Sequence, residues 1–397
     1  MQETLKKYFK GDPVIWGVVF ALSLISILAV YSSTGTLAYK YRAGNVAYYL
    51  FKHVSFLFLG FLIIYFLHLV PYQVFSRLSQ LFFYISIPLL GITLVFGTSL
   101  NQASRWLTLP GTGLTFQTSD LAKIALIMYL ARLLSLKQDT IKTYKKGFLP
   151  LIIPVFVVCG LIMPANLSTA VLLFAVSMIL MFVGRVRTIY LALVTGIGVA
   201  AIVGLIFLAL NSDWEGRWGT WKNRIVNFVD QEEGDNYQAE QSKIAIATGG
   251  ILGKGPGNSV QRNFLPHPYS DFIFAIIVEE GGVIFGFFVI FLYLYLLYRA
   301  GVIVSRSSRT FQAFLAFGLS MILVLQAMVN MAVAVGVFPV TGQPLPFISM
   351  GGTSILFTAA ALGMILSVSR STDAIPKAET EASTEATNEN IPDEQKT

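Results

Sequence analysis

Ten apolar runs, most of them about twenty residues long, constrain this chain more than any other feature. They fall at approximately 14–33, 47–70, 79–98, 119–136, 148–164, 166–184, 188–210, 271–298, 310–338 and 350–369. A helix of twenty residues is about 30 Å long, the thickness of a bilayer's hydrocarbon core. In that medium every backbone N–H and C=O must be satisfied within the protein, and a single run can do this only as a helix. The expected fold is an all-α polytopic membrane protein of about ten transmembrane helices. Composition agrees, with 55% hydrophobic and only 12% charged residues, where a soluble domain carries about 25% charged. The fifth and sixth runs are separated by little more than Pro164, so the chain turns back tightly there. The N-terminal MQETLKKYFKGD is basic, but the run behind it is long and lacks a clear small-residue cleavage site. It reads as a retained first span.

Charge placement orients the bundle. With the N-terminus inside, one set of loops collects most of the lysines and arginines, among them Lys10, Arg77, Lys145, Lys146, Arg299 and Arg306. The short loops of the opposite set carry Lys40, Arg42 and Arg105. The positive-inside bias then puts both termini in the cytoplasm and makes 211–270 one large extracytoplasmic loop. Residues 1–370 form the membrane domain. The segment 371–397, rich in Thr, Glu, Ala and Asn, has too few large apolar groups for a core and is expected to be a disordered cytoplasmic tail. The net charge of +7 is small for 397 residues and gives no reason to expect nucleic-acid binding. The lone Cys159 excludes an intramolecular disulfide and reads as packing.

The chemistry concentrates in LPHPYSDFIFAIIVEEGG, residues 265–282. Asp271 stands where the eighth span meets the outer boundary. Glu279 and Glu280 lie roughly 12 Å deeper, and carboxylates at that depth need a functional or pairing reason. A structural reading of Asp271, with Ser270 capping the helix, competes with a functional one. The fourth span enters from the same side and carries Asp120 and Lys123, three residues apart on one face. These groups predict a polar cavity in the outer leaflet, with Lys123 inside the bundle and near a carboxylate, Asp120 or Glu279. Glu279, about 80° round the helix from Asp271, is expected to share that cavity, while Glu280 faces another helix.

The loop 211–270 contributes Trp214, Trp218 and Trp221 as interfacial anchors, and Arg217, Lys222, Arg224, Lys243, Lys254 and Arg262 as cations. Its run GGILGKGPG, 249–257, has the look of a phosphate loop but lacks Ser or Thr after Lys254 and a preceding strand, so it reads first as a turn. His53, His68 and His267 show no metal-ligand spacing and are expected to be hydrogen-bonding or interface groups.

At these residues the chain resembles the SEDS family of shape, elongation, division and sporulation proteins, the FtsW and RodA group. NQASRWLTLPGTGLTFQTSDLAK (101–123) resembles that family's NGA-x-RW…FQPSELAK, and MPANLSTAV (163–171) its QPDLGTA. YQAEQSKIAIATGGILGKGPGNSVQ (237–261) resembles its YQ-x-x-QS…GG-x-x-G-x-G-x-G-x-S. The stretch at 265–282 resembles LPEAHTDFIFA-x-x-EELG, and NMAVAVGVFPVTGQPLPFISMGGTS (330–354) resembles G-x-x-P-x-TG-x-PLPF-x-S-x-GG-S-S. Thr118, Asp120, Asn166 and His267 depart from the pattern, while Arg105, Lys123, Asp271 and Glu279 match it.

The resemblance implies a peptidoglycan glycosyltransferase that polymerises lipid II at the outer face of the bacterial cytoplasmic membrane. It puts the essential carboxylate at Asp271, as general base toward a sugar hydroxyl. Undecaprenyl diphosphate leaves as an anion, so the site needs cationic stabilisation more than a second acid. Arg105, Arg224, Lys243 and Arg262 are candidates for it, and Mg or Mn could assist the diphosphate. No other cofactor is implied. Implied partners are a class B penicillin-binding protein supplying the transpeptidase and other division-site membrane proteins. The wording around 265–277 and the polar tail look more like the FtsW branch, at the septum, than the RodA branch. Two readings of other classes remain, a lipid II flippase and a non-catalytic division scaffold. A flippase would need a polar path through to the inner leaflet, whereas the intramembrane charges here cluster at the outer end.

Overall fold

The computed structural model describes residues 9–100, 103–108, 115–210 and 237–389. In chain order the helices are α1 (Pro13–Ser33), the short α2 (Gly35–Arg42), α3 (Val46–Leu69) and α4 (Tyr72–Phe96). A small antiparallel sheet follows, β1 (Thr98–Leu100), β2 (Ala103–Thr108) and β3 (Thr115–Gln117). Then come α5 (Thr118–Leu136), α6 (Leu149–Ile162), α7 (Leu167–Val183), α8 (Thr188–Leu210) and α9 (Tyr237–Gly249). The chain closes with α10 (Ile273–Arg306), α11 (Thr310–Ala334) and α12 (Thr353–Glu389). Every apolar run has become a helix. Seven segments are long and apolar enough to cross a membrane, and α7 and the first part of α8 are shorter apolar helices. α5, which carries Asp120, Lys123 and Arg132, completes the ten. This is a multi-pass membrane protein.

Local chemistry sets several of the boundaries. Asp12 accepts hydrogen bonds from the backbone of Val14 (2.8 Å) and Ile15 (3.4 Å) ahead of Pro13, a cap followed by a proline that needs no N–H partner. Asn45 caps α3 through Tyr48 N (3.1 Å), and Asn166 caps α7 through Thr169 N (3.2 Å). Asn166 therefore works as a neutral cap. The last helix continues past the membrane part, as backbone, to Glu389, through much of the polar segment expected to be disordered. Residues 371–389 include good helix formers, Ala and Glu, and a helical backbone needs no packed core for that.

The core is apolar, and so is much of the outside, where Phe58, Phe66, Phe207 and Phe287 are exposed as lipid-facing side chains would be. Small residues let helices approach closely. A Cβ at Gly363 of α12 would lie 2.9 Å from Leu67 Cβ of α3, and one at Gly318 of α11 would lie 2.6 Å from Ile127 Cγ2 of α5. One end of the bundle is tied by the Arg299–Asp12 ion pair and by Arg132, which donates to Ser76 O at 2.8 Å. The end of α1, the starts of α3, α5, α10 and α12, and the end of α11 meet at the opposite end.

That opposite end is more elaborate than a set of loops. The sheet pairs Trp106 with Gln117 and Ser99 with Ser104. The second half of the long loop folds back as α9 and a glycine-rich turn. The turn packs into a break in α10, where Gly282 has φ 75° and ψ 177°. A Cβ there would sit 2.1 Å from Ile251 O, and one at Gly253 would sit 2.2 Å from Glu280 O, so backbone meets backbone with no room for a side chain. Lys254 N donates to Glu279 O (3.0 Å), Gly255 N to Glu280 O (2.9 Å) and Val283 N to Gly250 O (2.9 Å). The run that looked faintly like a phosphate loop is a structural insert. Trp214, Trp218, Trp221, Arg217, Lys222 and Arg224 lie outside the described residues.

Candidate active site

A cavity of about 590 Å³ lies at this end of the bundle, and Asp271 lines it. Its walls come from α3, the small sheet, α9, the segment before α10 and the loop leading into α12. They include Lys52, His53, Trp106, Gln117, Gln238 and His267. Asp271 is the one carboxylate among the described lining residues.

Backbone hydrogen bonds between two loops hold Asp271 in place. Asn330 Nδ2, buried on α11, donates to Asp271 O and to Gln343 O, each at 2.8 Å. Ser349 Oγ donates to Ser270 O (2.6 Å), and Met350 N to Tyr269 O (2.9 Å). Gln326 Nε2 fastens the same downstream loop at Pro344 O (2.9 Å). Ser270 Oγ donates to the Asp271 carboxylate at 2.9 Å. Phe272 occupies the helix N-cap position with no side-chain cap, so Ser270 does not cap α10. The expected Ser270 cap is therefore not formed, and Asp271 stands one residue before the N-cap.

Tyr269 stands beside them, its ring edge-on to His267 and its hydroxyl 3.1 Å from His267 Nδ1. Burial, and then the neighbouring Tyr41, Tyr49 and Asp271, push its phenol pKa upward and keep it protonated. His267 is exposed and sits at φ 55°, in the left-handed region.

Of the two carboxylates expected near Lys123, Asp120 and Glu279, the fold supplies Asp120. Lys123 is buried, and its amine contacts Asp120 Oδ1 and Gln326 Oε1, each at 2.8 Å. Through Gln326 it supports the loop at Pro344. Glu279 does not line the Asp271 cavity. It is wholly buried against the glycine-rich insert, with Lys254 Nζ at 2.6 Å, Val260 N at 3.1 Å, Gln261 N at 3.3 Å and Ser259 Oγ donating as well. Glu280 accepts from Ser32 Oγ of α1 and from Ser259 N (3.2 Å), the separate helix contact expected of it. Glu279 takes its donors from the loop instead, which supplies more of them than Lys123 could.

Of the cations proposed for a diphosphate, Arg262 is half-buried and donates to Ser32 O and Ser32 Oγ, both at 3.3 Å. Lys243 is exposed on α9, its stem lying against Gly336. Arg105 belongs to β2, with its side chain outside the described residues, and Arg224 is outside them altogether. The cavity instead brings in Lys52 and His53. The sequence contained a signal for them, since α3 starts at the same end as α10, but a lysine near a span's end reads by default as an interfacial anchor.

His53 is 2% exposed and 2.7 Å from Ser26 Oγ through Nε2. Ser26 Oγ donates its one proton to Ile348 O at 2.7 Å, so His53 Nε2 is the donor in their contact. That assigns the Nε2–H form and leaves Nδ1 as an acceptor, buried and unpartnered among the described residues. His68 is distant from the cavity, edge-on to Trp16 at 5.4 Å. Cys159 is buried and free. Among the described residues no group of three His, Cys, Asp or Glu side chains is placed to hold a metal ion.

A ten-helix membrane bundle with one carboxylate in a polar cavity at one end defines the class, an integral membrane protein with a site at the lipid–water boundary. The family described as "Cell cycle protein", the FtsW, RodA and SpoVE group, matches residues 12–374, and the chain belongs to it. Its relatives include a probable peptidoglycan glycosyltransferase FtsW of Trichlorobacter lovleyi, 34% identical over 379 residues, covering 93% of this chain and 96% of that one. Stage V sporulation protein E of Bacillus subtilis is 32% identical over 371 residues, covering 91% and 98%. Two solved structures share the fold. One is a chain from work described as "Structural coordination of polymerization and crosslinking by a peptidoglycan synthase complex", with TM-score 0.70, 24% identity, and 91% and 98% coverage. The other is the rod shape determining protein RodA of Thermus thermophilus, with TM-score 0.66, 23% identity, and 92% and 98% coverage.

Proposed function

We propose that this chain is a peptidoglycan glycosyltransferase of the FtsW kind, with Asp271 as its general base. The observation that carries the reading is Asp271, the one carboxylate among the described residues in the wall of a cavity of about 590 Å³ at one end of the bundle. Both substrates are lipid II molecules, whose polyprenyl chains stay in the bilayer while their sugars react in water. The 4-hydroxyl of one sugar attacks the anomeric carbon of the other. Its proton passes to the Asp271 carboxylate as the new C–O bond forms. The bond from the anomeric carbon to the diphosphate oxygen breaks, and undecaprenyl diphosphate leaves as an anion. Asp271 then returns the proton to water. A leaving group already anionic needs no acid, so the reaction asks for one carboxylate at the attacking hydroxyl. A divalent ion such as Mg²⁺ or Mn²⁺, if used, would be held by the substrate's own phosphates, with Asp271 kept for the attacking hydroxyl.

The cavity end is the extracytoplasmic end in this reading, and both termini are cytoplasmic. Arg77, Arg132, Arg299 and Arg306 lie toward the other end, as positive-inside placement requires. The site of action is the division septum of the bacterial cytoplasmic membrane, beside other division proteins. Crosslinking falls to a class B penicillin-binding transpeptidase. Support for that partner is the shared fold with a chain of a synthase complex described as coordinating polymerization and crosslinking, and the lack of a transpeptidase serine motif in this sequence.

The test is polymerisation of purified lipid II by the purified full chain, with and without its transpeptidase. Asp271→Asn should keep the folded yield and lower strand synthesis by about 10²–10⁴, as expected for loss of a positioned base. Near-normal synthesis by that variant would remove Asp271 from the mechanism.

A further inference from the structure

The glycosyltransferase reading leaves the diphosphate without a contact in the described part of the cavity. We propose that Lys52 of α3 and the Gly351–Ser354 turn at the start of α12 form the seat for a lipid-linked diphosphate.

Two observations meet here. Lys52 is the one lysine or arginine among the described residues lining the cavity, and it is exposed, with no ion pair to any described carboxylate. Across from it, Gly351, Gly352, Thr353 and Ser354 line the same cavity at the N-terminus of a long helix. Gly352 has φ 52°, and a Cβ there would meet only Phe56 Cζ, at 3.9 Å. Phe56 is four residues after Lys52, so the α3 face that carries Lys52 is the face turned toward this turn. Successive N–H groups around a left-handed glycine, ahead of a helix dipole, make a concavity that takes anions. No described acceptor takes the backbone N–H of Gly351 or Gly352.

The chemistry matches a diphosphate ester anchored in the bilayer. The lysine supplies a point charge, the helix start supplies oriented N–H donors, and Asp271 stands in the same cavity but carries the wrong charge for a phosphate. This arrangement puts the leaving group on the α3 and α12 side and leaves the Asp271 side to the attacking hydroxyl.

The test measures binding of undecaprenyl diphosphate, which has the lipid and the diphosphate but no sugar, to the full chain in phosphatidylcholine nanodiscs. Lys52→Met should weaken binding about tenfold to a hundredfold, the loss of a hydrogen bond to a charged group. Lys52→Arg should retain most of it, because charge and donors persist. Asp271→Asn should not weaken binding, because it removes a negative charge from the same cavity. Phosphatidylglycerol added to the nanodiscs separates a diphosphate seat from a general anionic-lipid contact. A seat should lose little of the probe to it, and displacement as effective as that by unlabelled probe would overturn the assignment. Unchanged affinity in Lys52→Met would also overturn it. The two readings fail differently. Polymerisation with binding indifferent to Lys52 sinks the seat alone. Lys52-dependent binding with no polymerisation by wild type supports the seat and sinks the glycosyltransferase reading.

Discussion

Asn330 donates one amide hydrogen to Asp271 O and the other to Gln343 O, each at 2.8 Å, so a single buried side chain on α11 fastens the segment carrying the carboxylate to the loop that forms the opposite wall. Asn330→Leu keeps the size of the side chain and removes both donors. It should cost about 2–4 kcal/mol from two carbonyls left without a partner. A shift of Asp271 by about 1 Å should lower polymerisation about 10²-fold. Thermal unfolding and lipid II polymerisation check the two parts separately. Normal activity in a folded Asn330→Leu protein would mean that Asp271 is held by other contacts.

Lys123 should couple to Asp120 and not to Glu279. Lys123→Met leaves the buried Asp120 carboxylate, one oxygen of which already lacks a described partner, with no counter-charge. Breaking a buried pair in this way costs about 3–5 kcal/mol. Adding Asp120→Asn should restore much of the folded yield, whereas adding Glu279→Gln should lower it further. Recovery with Glu279→Gln instead would show that the pairing seen here is not the one that matters.

Glu279→Gln should be more damaging than Lys254→Met. The glutamate is wholly buried and collects donors from Lys254, Ser259, Val260 and Gln261, while the Lys254 side chain is 29% exposed and can be replaced by water. Limited proteolysis of 250–264 reads this directly, with faster cleavage in Glu279→Gln. The reverse order would mean that the ion pair, and not the set of N–H and hydroxyl donors, holds the insert.

Gly282→Ala should severely reduce folded protein. The new Cβ would sit 2.1 Å from Ile251 O on a residue at φ 75°, and both the clash and the strain involve backbone that cannot move aside. Gly17→Ala, with nothing within 4 Å of its Cβ, should be neutral or slightly stabilising. Detergent-solubilised yield and unfolding temperature compare them, and equal behaviour of the two variants would remove the insert as a structural requirement.

Depth along a helix was legible in the sequence; rotation about its axis was not. Ten apolar runs placed ten helices and put Asp271, His267, Asp120 and Lys123 at one end of the bundle, because hydrophobic length measures position across a bilayer. The same reasoning put Glu279 and Glu280 deeper, and both are buried. It could not say which face of a helix turns inward. In lipid the outside is as apolar as the inside, so spans such as α1 and α10 have no amphipathic stripe to read. Lys52 and His53 illustrate the cost, since only the packing of α3 against α12 turns them toward Asp271.

Apolar length and motif order were enough for the membrane class, the helix order, the family resemblance and the residue types available at each depth. The tertiary structure decided the partners. Lys123 met Asp120 and Gln326, while the segment 249–261 folded into the break at Gly282 and supplied donors to Glu279 and Glu280. A charge buried in low dielectric takes whichever partner the backbone brings within hydrogen-bond distance. That distance is fixed by the docking of a loop, a long-range event that leaves no periodicity in the sequence.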